Sequence, residues 1–345
     1  MTANPNVRAE ADGTTPTPTA APADPGTEGR KVVLVVAGLT VLLALMLTAF
    51  ALPAVKSGPH GVGLGIVAPP AAAAQIEAGL DGFDVTRYDD AAAARQAITD
   101  REIYGALVVG PDGLHTYVAT AASATVAQTI GQIGTKIAAA QNVPVQVTDV
   151  RAFPDNDPRG AGLSAGALPL ALGGWIAAVL IMQLISSSRN RLIAVGAFAV
   201  IGGFALVAVI QFGLGTFDGN YWLTSLAAML GIAATAMGVL GLREFFGFAG
   251  LGIAAIALIF LGNPLSGLAS APEMLPTPWG YIGQLLPPGA TGSLLRSVAF
   301  FDGHGGVHAL IVLICWLAGG LALYFAGLAR AARSGAGSPS VAMSV

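Results

Sequence analysis

NPLSGLASAPEMLPTPWGYIGQLLPPGATGSLLRSVAFFD, residues 263–302, is the stretch whose reading decides the architecture. It lies between two strongly apolar runs, yet Pro264, Pro272, Pro276, Pro278, Pro287 and Pro288 rule out one continuous helix across it. Trp279 and Tyr281 carry amphipathic rings of the kind that settle at a membrane–water boundary. Its only charged residues are Glu273, Arg296 and Asp302. Irregular backbone close to lipid is tolerated only where protein buries it or water wets it. The stretch therefore reads as a broken, membrane-hugging segment on one face of a helical bundle, lining a lateral opening. The competing reading is a structured loop that plugs the outer end of the bundle. Pro287 and Pro288 fix the backbone after Leu285 and Leu286, and Gly289 permits a reversal. Arg296 is placed to meet a lipid phosphate or an anionic substrate group, or to snorkel at the interface. Trp279, Tyr281, Pro287, Pro288 and Arg296 are the candidate substrate or lipid contacts.

The flanking composition supports a membrane setting. The chain is 54% hydrophobic and only 10% charged, where a soluble domain carries about a quarter charged residues. Its formal net charge of −3 points to neither nucleic acid nor an acidic substrate. Cys315 is the lone cysteine, so no disulfide within the chain or cysteine metal cluster can form. A bilayer core takes roughly 20 apolar residues to cross as a helix. Runs of that kind are expected near residues 32–55, 164–185, 192–214, 222–242, 245–262 and 306–328, giving a six-helix polytopic protein. Ala49-Phe50-Ala51 resembles a signal-peptidase site, but the first run is long and reads as an uncleaved anchor.

Basic residues set the expected orientation. Arg30 and Lys31, Arg189 and Arg191, Arg243, and Arg330 with Arg333 all fall on one side if the spans alternate. By the positive-inside rule that side is the cytoplasm, with both termini. The domain reading is a disordered cytoplasmic tail over 1–30, the first span over 31–55 and an extracytoplasmic domain over 56–162. A five-helix membrane domain follows over 163–330, with its Pro-rich outer loop at 263–303, then a cytoplasmic tail over 331–345.

Residues 56–162 alternate strand and helix patterns, which predicts a small α/β domain with a mixed sheet. Helices are expected at 70–80, 89–100 and 123–141, with Asp89 or Asp90 capping the second. Strands are expected at 83–88, 104–109, 114–119 and within 143–153. Gly110-Pro111-Asp112-Gly113 is strong turn chemistry for a hairpin between the middle two.

Chemistry-bearing patterns are sparse. No ionisable side chain sits in the middle of spans two to five, which argues against a self-powered proton or ion pump. Gln183 and Gln211 lie near span ends and suit interhelical hydrogen bonds or solvation. Small residues such as Gly202, Gly203, Gly247 and Gly250 allow close helix packing. His304 and His308, an i, i+4 pair, lack a third ligand and read as interfacial histidines rather than a metal site. No phosphate loop, dinucleotide fingerprint or nucleophile elbow occurs, and no catalytic residue or cofactor is implied.

The layout resembles the permeases of the second class of bacterial ABC exporters, especially their phage-infection-protein-like branch. The residues that carry the likeness are AAAARQAITDREIYGALVVGP (91–111), NDPRGAGLSAGALPLALGGW (156–175) and LPTPWGYIGQLLPPGATGSLLRSVAFF (275–301). The likeness covers roughly residues 31–330. It implies a non-enzymatic membrane protein handling a lipophilic envelope component or exporting a substrate. Membrane lipids, a separate ATPase subunit or a second copy of the chain are the implied partners, and nucleic acid is not. Such permeases meet their ATPase through an amphipathic helix before span one and a coupling helix between spans two and three. Here those places hold the Pro- and Thr-rich tail and the short link 186–191. The alternative function is a cell-surface receptor or scaffold whose outer domain binds a protein or cell-wall ligand; a membrane-embedded enzyme is the weakest reading.

Overall fold

The computed structural model describes residues 25–336. Internal contacts divide the chain into two units after Leu47. The first carries most of helix α1 (Pro25–Val55), whose apolar side chains, such as Val33 and Leu47, are exposed. The helix begins at Pro25, inside the stretch expected to be tail. Of that tail, residues 1–24 lie outside the described residues, as do 337–345 at the other end.

The second unit opens with an α/β layer. In chain order it comprises β1 (Val62–Val67), α2 (Pro70–Glu77), β2 (Phe83–Arg87), α3 (Ala91–Thr99), β3 (Gly105–Gly110), β4 (Gly113–Val118), α4 (Ala124–Gln141) and β5 (Val145–Asp149). The strands form one mixed sheet in the order β2-β1-β3-β4-β5, parallel except for the β3–β4 hairpin. Local chemistry sets these elements. Asp90 caps α3 through the Ala93 N–H, and Ser123 caps α4 through the Val126 N–H. The hairpin closes at Gly110 and Gly113 around Pro111-Asp112, with Gly113 at φ +128°.

Alternate residues of a strand face opposite sides, and here the two sides belong to different cores. Val62, Leu64, Ile66, Leu107 and Leu114 pack with Ile76 of α2 and Val126 and Ile130 of α4. On the other side Ala106 packs with Ala94, Ala97 and Ile98 of α3, and this core runs on without a break into the helices that follow, through Phe153, Leu294 and Phe300. The α/β layer and the bundle thus share buried apolar surface.

The bundle comprises α5 (Ala161–Leu184), α6 (Ser188–Ala208), α7 (Tyr221–Phe246), α8 (Phe248–Ala255), α9 (Trp279–Gln284), α10 (Pro287–Phe300) and α11 (Val307–Ala336). Helices α6 and α8 widen into π turns at Val209–Gly213 and Ile256–Leu261. Helix α7 is the hub: α5, α6, α8, α10 and α11 all pack on it.

Among the described residues, four helical stretches are long and apolar enough to cross a membrane: Glu28–Thr48, Ser188–Gly213, Tyr221–Phe246 and Val307–Arg333. The other two expected spans contain shorter apolar helices, Leu172–Leu184 and Phe248–Leu261. Helix α5 runs unbroken through Pro169. The second is cut short at its start by Gly247, whose φ of +67° turns the chain sharply out of α7. Helix α11 continues to Ala336, so the stretch expected as a tail from 331 begins as helix.

Candidate functional site

Residues 263–302 are broken as their prolines dictate. A single 3-10 turn at Pro272–Met274 and the short α9 precede α10. Pro287 and Pro288 occupy the first turn of α10, where a missing N–H leaves no hydrogen bond unmade. Both are buried, as is nearly all of α10.

Contacts fix how deep the segment reaches. Trp316, nine residues into α11, donates its indole N–H to the Leu285 carbonyl at 2.8 Å. At 1.5 Å per residue the reversal at Leu285–Leu286 lies about 13 Å along α11 from its start. From there α10 climbs back along α7, with Thr291 against Gly231 and Ala299 against Gly219 just before α7. The approach of the passes is backbone to backbone: a Cβ on Gly283 would sit 1.7 Å from the Leu265 carbonyl oxygen.

The upper end of the segment is bonded to the α/β layer. The Gly58 and His60 N–H groups donate to the Met274 and Glu273 carbonyls at 3.0 and 2.8 Å. Tyr104, just before β3, donates its hydroxyl to Glu273 Oε2 at 2.7 Å. Burial, first, and the nearby Glu273 carboxylate push the Tyr104 hydroxyl far above its ordinary range, so it stays a donor.

Arg101 is the most unusual residue here. The Arg101 and Glu102 N–H groups bond to the Ile98 and Ala97 carbonyls, a Schellman ending to α3 with Arg101 at φ +64°. Glycine normally fills that left-handed position, and another residue costs about 1 kcal/mol. The conformation carries the Arg101 side chain onto α10, where it donates to the Ser293 carbonyl at 3.2 Å and to Ser297 Oγ. Its guanidinium stacks 5.5 Å from the Phe301 ring centre. Burial draws the Arg101 guanidinium below its usual range, against the opposing influences of Tyr104 and Glu273.

Arg296 lies behind it, only 4% exposed. Its Nη2 donates to the Leu268 carbonyl at 3.0 Å, while its buried Nε has no hydrogen-bond partner. Among the described residues, no carboxylate forms an ion pair with Arg101 or Arg296. The buried Arg296, the half-buried Arg101 and one half-buried carboxylate, Glu273, therefore lie near one another.

A half-open cleft of about 550 Å³ opens between the α/β layer and the segment. Arg101, Tyr104 and Ile103 form one wall; Glu273, Leu275, Gln284 and Ser293 form the other. Gln284 is held by donating to the Ser266 carbonyl at 2.8 Å and accepting from Ser293 Oγ at 2.6 Å.

The residues expected to contact lipid or substrate separate into three settings. Tyr281 stands 81% exposed at the cleft edge, and Trp279 is also exposed. Pro287 and Pro288 shape the reversal from within. Arg296, expected at an interface, is instead enclosed by protein, because α10 turns its polar face toward Leu268 and the α/β layer. Of the histidines, His304 bonds Asp100 at 3.0 Å and His308 lies at the cleft mouth. Gln211 donates to the Gly219 carbonyl at 3.0 Å, Gln183 is exposed, and Ser187 caps α6. Arg101 and Tyr104 did not stand out in the sequence. The available signal was an arginine, not a glycine, directly after Asp100, the residue that caps the end of α3.

The chain has no significant match to any protein-family profile, curated protein or solved structure.

Proposed function

We propose that the chain is a six-pass protein of the cell membrane, organised like an exporter permease, which handles an amphipathic envelope component at the cleft between its α/β layer and residues 263–302. The cleft is the observation that carries the reading. Its walls mix half-buried polar groups with Leu275, Ile103 and Ala309, and its rim carries exposed Tyr281. A volume of about 550 Å³ falls within the range of small-molecule sites.

In this reading α8 rises part-way through the bilayer and residues 262–271 complete the pass, their backbone enclosed by protein as an apolar medium requires. The α/β layer is extracytoplasmic and both termini are cytoplasmic. Supporting that orientation, Arg191 pairs with Glu244 at 3.4 Å and Arg330 donates to the Phe245 carbonyl at 3.4 Å, so the basic links after α5, α7 and α11 gather at one end. The shared core between layer and bundle favours this reading over one in which the helices merely anchor a binding domain. A separate ATPase subunit or a second copy of the chain would supply the partner.

Two measurements test it. With Cys315 replaced, single cysteines at Asp112 and Thr277 should react with an impermeant thiol reagent on intact cells, and one at Ser187 should not; the opposite pattern inverts the topology. A photoactivatable side chain at Thr277, on the cleft mouth, should capture an amphipathic molecule in native membranes. The same group at Leu226, exposed on α7, samples bulk lipid. Identical captures at the two positions would remove the cleft's selective role.

A further inference from the structure

We propose that the cleft selects an acidic head group, a phosphate ester carried by a lipid, and that Arg101 is the residue that meets it. The inference rests on the cleft reading above and deepens it to a substrate class.

The first support is an imbalance of charge. Arg101, half-buried, lines the cleft, Arg296 is buried behind it, Glu273 is the one half-buried carboxylate beside them, and Tyr104 already donates to that carboxylate. A partly desolvated cation without a charged partner is unfavourable, and a bound anion offsets part of that cost. Asp84 and Glu102 also line the cleft, but both are exposed and neither forms an ion pair with Arg101. His60 and His308 at the mouth are exposed as well.

The second support is conformational. The left-handed backbone of Arg101 is a position that glycine fills at no steric penalty. Placing arginine there directs a planar, five-donor fork onto the cleft wall. Only one of its nitrogens, Nη1, is engaged, by Ser293 and Ser297. That fork matches a phosphate through two parallel hydrogen bonds.

The third support is the shape of the opening. Tyr281 in α9 and Leu285, the residue that caps the helix, are four residues apart, 81% and 54% exposed, and share one face. An apolar tail leaving the cleft would lie along them, while a free phosphate ion would use neither.

The test uses the full chain, delipidated in a mild detergent. Its thermal unfolding midpoint is followed against mixed micelles containing phosphatidylglycerol, phosphatidylcholine or, separately, inorganic phosphate. Phosphatidylglycerol is expected to bind about tenfold tighter than phosphatidylcholine, the scale of one charge-assisted pair. Arg101→Gln should abolish that preference, and Arg101→Gly, which suits the backbone, should abolish it in a fully folded protein. Arg101→Lys should keep part of it, and Arg151→Gln, outside the cleft, all of it. Equal binding of the two lipids by the wild-type protein would overturn the acidic-head assignment and leave the lipid reading standing. Binding of neither lipid would overturn both. Inorganic phosphate as effective as phosphatidylglycerol would overturn the lipid as the source of the anion.

Discussion

Helices α7 and α10 are both buried along most of their length and pack on one another, yet they reach that state from opposite compositions. Helix α7 is 26 residues long, carries no charge before Arg243, and is lined with Ala, Gly, Ser and Thr. Its small side chains let several neighbours approach, and most of its length is buried inside the protein. Helix α10 is 14 residues long, opens on Pro-Pro-Gly and encloses an arginine. Close packing holds α7; hydrogen bonds to other segments hold α10 as much as packing does. Burial by itself therefore does not reveal which kind of interaction maintains a helix here.

The sharpest way to break the comparison is to enlarge α7. A Cβ on Gly241 would stand 2.2 Å from the Gly320 carbonyl oxygen of α11. Gly241→Leu is expected to lose about 3 kcal/mol or more, read as aggregation on size exclusion and a large fall in the detergent unfolding midpoint. A protein that tolerates leucine there would show that the α7–α11 crossing slides, and that small residues are not what fixes it.

Smaller and of opposite sign is the change expected in α10. Arg296→Met exchanges a buried cation holding one carbonyl and leaving Nε unpartnered for an apolar chain of similar length. Lipid-free protein should become more stable by about 1 kcal/mol, measured by the same midpoint. A fall of that size would show that the bond to Leu268 outweighs the burial of charge.

A third change sharpens the contrast at the start of α5, where a charge supports a helix from beyond its end. Asp157 accepts from the Ala161 and Gly162 N–H groups and from Thr216 Oγ1, each at 2.8 Å. Burial, the largest single influence, raises its carboxyl, but these bonds and Arg159 together hold it below the ordinary carboxylate range. A depressed folded-state value means stability that is present above the unfolded pKa and lost as pH falls through the folded one. Asp157→Ala should lower stability by about 1 kcal/mol near neutral pH. Its difference from wild type should shrink below about pH 4. A difference that stays constant with pH would assign the effect to packing.

Much of the fold was legible along the chain. The β3–β4 hairpin, the caps at Asp90 and Ser123, and the prolines that break residues 263–302 all act within a few residues of themselves. Lengths were less legible. The run at 245–262 is apolar enough for a span, but Gly247 turns the chain first, and a hydropathy sum does not register a backbone angle. Arg296 was conspicuous as the segment's only basic residue, whereas Tyr104 gave no local signal at all.

By itself, then, the sequence determined where apolar runs lie, that alternating strands and helices between residues 62 and 149 build a mixed sheet, and that residues 263–302 cannot be one helix. Each follows from side-chain chemistry and backbone preference over a short window. Only the tertiary structure decided that the reversal at Leu285–Leu286 reaches well along α11 and that the sheet's second face shares a core with the bundle. It also decided that Arg101 meets Ser297 and Tyr104 meets Glu273 across more than a hundred and sixty residues of chain. Such meetings depend on which buried polar groups can satisfy one another once the apolar surfaces have closed, and no local pattern records that.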